Sequence, residues 1–165
     1  MPISNPPPST FLWHRPLRLA AGTHLVKATG GDLLPGPTAD NPTGFSPWWI
    51  LVNPGPNGDP GLDAFVRRAR KSGRPIVDSF RDAYAVRREW RNSLSITQSG
   101  FLRMPSIRLA QAVDAFHGPA APQPGKSPPL AFPPQNQVDY PGGAFQLFIP
   151  GLTSAHILVS AYYLI

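Results

Sequence analysis

The chain has 165 residues, 41% of them apolar, with 23 prolines, 15 glycines and a formal net charge of +6. That length fits one domain with a real core, and so much proline and glycine demands many turns and long irregular connections. The absence of cysteine excludes disulfides, thiolate metal sites and thiol nucleophiles.

Residues 1–10 read as an extended tail, in which Pro6, Pro7 and Pro8 favour polyproline II geometry. Residues 11–165 read as the single domain. Prolines at 2, 6, 7 and 8 interrupt the apolar run that a secretory signal needs, and no apolar stretch approaches the ~20 residues of a membrane span. The expected location is the cytoplasm, or outside by a route without a cleavable signal.

Residues 17–20 and 24–28 predict two short strands on either side of Gly22. Residues 29–44, rich in glycine and proline, predict a long loop, and a loop of that length is more often functional than idle. Residues 45–52, with their aromatic and β-branched side chains, predict a buried strand followed at once by turn chemistry.

Asp59 and Pro60 then suggest an N-cap and a first helical position. Leu62, Phe65, Val66 and Ala69 fall on one side of that helix and Gly73 ends it. A second helix is expected from Asp78 or Ser79, burying Phe80, Ala83, Tyr84, Val86, Trp90 and Leu94. A third is expected over 105–116, where Ile107, Ala110, Val113 and Phe116 keep helical spacing and Gly118 closes the run.

Residues 119–141 hold eight prolines and read as an extended arm that Leu130 and Phe132 could pin to the core. Residues 144–149 and 156–165 predict the final strands. Strands, then helices, then strands point to an α+β domain, a small antiparallel or mixed sheet packed with about three helices.

Charge is concentrated. Residues 67–91 contain nine of the 15 basic residues and three acids, so the net charge of +6 resides in this one expected helical hairpin. As a functional surface, Arg67, Arg68, Arg70, Lys71, Arg74, Arg81, Arg87, Arg88 and Arg91 could grip nucleic-acid phosphates or an acidic neutralising or target protein. As a solvated face they would only coat the helices. A non-enzymatic binding module is one function this composition allows, and a structural protein with wrapping arms is another.

Few residues carry obvious chemistry. His14, His24, His117 and His156 are scattered without ligand spacing, so no metal site is expected. Glu89, the single glutamate, lies among arginines. Ser46 has Trp48 where a nucleophile elbow needs its second glycine, and the paired glycines at 30–31 and 142–143 match no phosphate loop.

Three separated strand segments, at 24–28, 45–49 and 145–151, nevertheless resemble in order and character the three motifs of bacterial ADP-ribosyltransferase toxins and effectors. The resemblance covers about 20 positions. It implies NAD as substrate, with His24 or Lys27 on the phosphate and ribose side, Ser46 supporting the nicotinamide pocket, Trp48 as its stacking wall and Gln146 at the late-strand position. These enzymes usually carry glutamate there, and glutamine can hydrogen-bond but supplies no charge to an oxocarbenium-like transition state. Lys27 likewise keeps the charge of the commoner arginine without its bidentate fork.

Overall fold

The computed structural model describes residues 5–8, 10–27, 46–86, 95–123 and 140–165. Among them lie eight strands: β1 (Arg15–Leu19), β2 (His24–Lys27), β3 (Trp48–Leu51), β4 (Ser95–Ile96), β5 (Leu102–Leu109), β6 (Val113–Pro119), β7 (Phe145–Phe148) and β8 (Ile157–Leu164). Two α-helices, α1 (Leu62–Ser72) and α2 (Ile76–Tyr84), separate β3 from β4, and a 3-10 turn at Ser154–His156 leads into β8. All the strands join one antiparallel sheet in the order β1-β6-β7-β3-β2-β5-β4, with β8 also paired to β5.

The sheet curls. β5 and β6 stand four places apart in it, which in a flat sheet would be ~19 Å at the usual strand spacing. Yet only residues 110–112 join them, and so short a connector reaches at most ~14 Å. The turn between β1 and β2 closes the same end, since the Gly22 and Leu109 backbones bond at 2.7 Å and those of Leu109 and Thr23 at 3.0 Å.

Curling gives the sheet two buried faces. On the concave face Leu19, Leu25, Trp49, Leu51, Leu109, Val113 and Leu147 form one cluster drawn from both ends of the strand order. On the convex face Val26, Ile50, Val52, Leu102 and Met104 meet Leu62, Phe65, Ala69, Phe80 and Tyr84 of the helices. Successive residues of β2 and β3 alternate between these clusters, as the period of two requires. Phe65, Phe80 and Tyr84 pack ring to ring, with centroids 4.5–5.7 Å apart.

The expected architecture therefore needs correction: the described residues form an eight-stranded antiparallel sheet carrying two helices, not a small sheet packed with about three. The helix expected over 105–116 is the second half of β5, a turn and the first part of β6. A helix buries one stripe, whereas β5 buries Leu102 and Met104 in one cluster and Ile107 and Leu109 in the other. Spacing of three cannot report that. Gly118 closes no helix; it sits inside β6, where a Cβ would run into the Trp13 carbonyl.

The helical hairpin does form, with shifted starts and an earlier end than expected: α2 stops at Tyr84, where Ala85 turns left-handed at φ 53°, so Val86 lies beyond the helix. Asp59 is no cap, because α1 has Gly61 at its N-cap, and α2 begins at Ile76. Gly73 ends α1 in the left-handed region at φ 70°. The loop expected over 29–44, Leu130 and Phe132 of the arm, and Trp90, Leu94, Arg87, Arg88 and Arg91 lie outside the described residues. The two ends of that arm meet in a bridge between Gln123 and Tyr140.

Candidate functional site

β3 lies between β2 and β7, so the three segments that carried the resemblance are neighbouring strands although about 120 residues separate the first from the last. Trp48 stands opposite Phe148, their rings 4.7 Å apart, and Phe11 closes on Trp48 from the amino-terminal segment at 6.3 Å. Ser46 shapes the entry to β3. Its hydroxyl accepts the Trp48 backbone N–H at 3.2 Å, and its carbonyl accepts the Trp49 indole N–H at 2.7 Å.

Gln146 is buried at 8% exposure on the same face of β7 as Phe148, and its side-chain amide donates to the Thr10 carbonyl at 3.5 Å. Residues 10–12 thus cross over Trp48 and Gln146, held also by the Leu12 N–H on the Pro119 carbonyl at 3.0 Å. Ser46 is hydrogen-bonded to Trp48, and Gln146 shares with Trp48 only the cover of residues 10–12; the two basic candidates do not join them. His24 starts β2, where its ring nitrogen is 3.3 Å from the Ser106 hydroxyl and its ring meets Tyr163. Burial, and after it the Arg108 charge, lower its pKa. The helix-covered Val26 and Ile50 separate it from Trp48.

Lys27 is 4% exposed and opposite Trp49, which turns it to the concave face, away from Gln146. There it belongs to a row of five positions in register across the sheet: Lys27, Trp49, Leu147, His117 and Arg15. This row reveals a cluster that sequence reading overlooked. Arg15 is ion-paired with Asp59, and His117 Nδ1 lies 3.5 Å from Asp59 Oδ2. His117 is 1% exposed, and neither ring nitrogen has a hydrogen-bond partner among the described residues. Burial lowers its pKa, opposed by the Asp59 charge. The available signal was the alternation Arg15, Leu17, Leu19, which aims Arg15 inward.

On the helices, Arg67 pairs with Asp63 at 3.5 Å and Arg74 with Asp82 at 2.9 Å. Arg68, Arg70 and Lys71 point outward from α1, and Arg81 is half-buried in α2. Among the described residues no group of three or more His, Asp or Glu could hold a metal ion, and no helix is long and apolar enough to cross a membrane. Compared with protein-family models, curated proteins and solved structures, the chain returns no match.

Proposed function

We propose that the protein is an ADP-ribosyltransferase-like domain that binds NAD where β2, β3 and β7 run side by side. The observation that carries this reading is the adjacency of the three motif strands, which chain order alone does not require. In it, Trp48 with Phe148 offers the nicotinamide an aromatic wall, and Ser46 holds the start of β3 that presents that wall. Gln146 hydrogen-bonds the ribose from the next strand. Lys27, one residue step from the level of Trp48, supplies positive potential rather than a direct fork on phosphate. His24 drops out of the site, because buried core separates it from Trp48.

The reading also limits the chemistry. Cleaving the nicotinamide–ribose bond builds positive charge on the sugar, which a neutral amide stabilises far less than a carboxylate. NAD binding is thus expected to exceed turnover. The test is calorimetric titration of NAD into the full chain beside Trp48→Ala and Gln146→Ala, with folding checked by circular dichroism. Saturable binding that both substitutions weaken supports the site, and no heat at millimolar NAD overturns it.

A further inference from the structure

Away from those strands, α1, α2 and the turn at residues 141–144 line a shallow, open groove of about 490 Å³. Its floor is apolar, made by Phe65, Ala69, Ala83 and Ala144. Its rim is not: Arg68 comes from α1, Arg74 from the connection between the helices and Ser79 from α2. Arg68 has no hydrogen-bond or ion-pair partner among the described residues, and its charge reaches the Tyr84 hydroxyl beneath. Arg74 gives one amino group to Asp82, which also lines the cleft, and keeps its other donors.

The backbone closes the remaining side. Gly142 adopts φ 71° and its N–H bonds the Asp82 carbonyl at 2.7 Å, while the Ala144 N–H bonds the Ala83 carbonyl at 2.9 Å. The turn is tied to α2, so floor and rim are held in one arrangement. A concave, mostly apolar surface with a few convergent polar groups is the usual form of a small-ligand site.

We infer that this cleft binds a small phosphate monoester, its phosphate between Arg68 and Arg74 and its apolar part on the Phe65–Ala144 floor. Two guanidiniums and a hydroxyl suit a dianion with three terminal oxygens, and both cations are the arginine fork rather than the lysine point charge. A monocarboxylate would use only half of that donor set. Asp82 is the competing anion, holding Arg74 when no ligand does.

The test titrates the full chain with phenyl phosphate, benzoate and inorganic phosphate, followed by amide shifts in two-dimensional NMR. Phenyl phosphate is expected to saturate, at least tenfold tighter than benzoate or inorganic phosphate, with shifts confined to α1, α2 and residues 141–144. Arg68→Gln should weaken it about tenfold and Asp82→Asn should tighten it, and the confinement of the shifts to α1, α2 and residues 141–144 separates this site from the proposed NAD site. Arg68 and Arg74 are solvent-facing, so circular dichroism of the variants should match that of the parent. Benzoate binding as tightly as phenyl phosphate, shifts elsewhere, or an unaltered affinity in Arg68→Gln would each overturn the inference.

Discussion

His117 Nδ1 sits 3.5 Å from Asp59 Oδ2 inside the curl of the sheet, joining a residue of β6 to a loop that the sequence would have spent on a helix cap. Around that pair are Arg15, ion-paired to the same carboxylate, the tilted Phe145 ring with its centroid 5.2 Å from that of His117, and Gly55, where a Cβ would stand 3.4 Å from His117 Cε1. Burial of this imidazole, opposed by the Asp59 charge, contributes to the pH behaviour of the fold.

The folded-state pKa of His117 is depressed, chiefly by burial, so the unfolded chain takes up a proton at higher pH than the folded one. That contribution to stability is fully present above the unfolded value near 6.5 and is lost as pH falls from there towards the folded pKa. The slope for one such group is at most about 1.4 kcal/mol per pH unit. Urea unfolding at pH 7.5 and pH 5.5 should show the loss, and His117→Leu should reduce it. His24 works in the same direction, so some pH dependence should survive in that variant.

Asp59→Ala removes the acid that Arg15 and His117 share. A half-buried guanidinium then loses its charge-assisted bond, and a loss of roughly 1–3 kcal/mol is expected. Arg15→Ala should cost at least as much, because it leaves the more buried Asp59 carboxylate unpaired beside a His117 ring whose lowered pKa disfavours the charged form. Equal costs in a double-mutant cycle with no coupling would show that the pair is electrostatically idle.

Gly118→Ala tests how the amino-terminal segment is docked. The new methyl meets the Trp13 carbonyl and the His14 backbone, so either β6 or residues 13–14 must shift. Overpacking of this kind costs about 1–3 kcal/mol. Faster proteolysis between residues 10 and 15 and a changed Trp48 environment in fluorescence are the expected signs, since Phe11 covers that indole.

Phe80 is fully buried between the helices and the convex face, touching Phe65 and Tyr84. Phe80→Ala should destabilise by about 3–5 kcal/mol. A thermal melt that barely moves would mean that the helical hairpin adds little to the stability of the sheet.

Gln146→Glu probes the proposed chemistry. It places a negative charge beside the proposed nicotinamide wall and gives up the amide donation to the Thr10 carbonyl, a cost of at least about 1–3 kcal/mol because the new carboxylate is buried against that oxygen. NAD hydrolysis measured by nicotinamide release should rise above that of the parent. No rise in a folded variant that still binds NAD would count against a transferase-like arrangement.

Local chemistry made much of the chain legible in advance. Leu62, Phe65 and Ala69 recur at helical spacing, Gly73 takes the left-handed cap, and five of the eight described strands stand where short apolar, aromatic and β-branched runs put them. Both signals depend only on residues a few positions apart. What could not be read is what depends on distant pairing. Residues 105–116 keep a spacing compatible with a helix, and only the burial of both faces of β5, against α1 and α2 on one side and β1, β3 and β7 on the other, makes them strands.

The same distinction governs the sites. Trp48 and Gln146 could be named only through the resemblance of their strands to the toxin motifs; which face each takes is a matter of register, and a one-residue step puts Lys27 on the opposite face. Asp59 looked like a cap because Pro60 follows it; Arg15 claims it across 44 residues instead. Sequence by itself determined which segments could bury a stripe and where the charge would lie. The curl of the sheet decided which side chains share a face, because cross-strand neighbours are chosen by the sum of packing over the whole core and not by any residue's own neighbours in the chain.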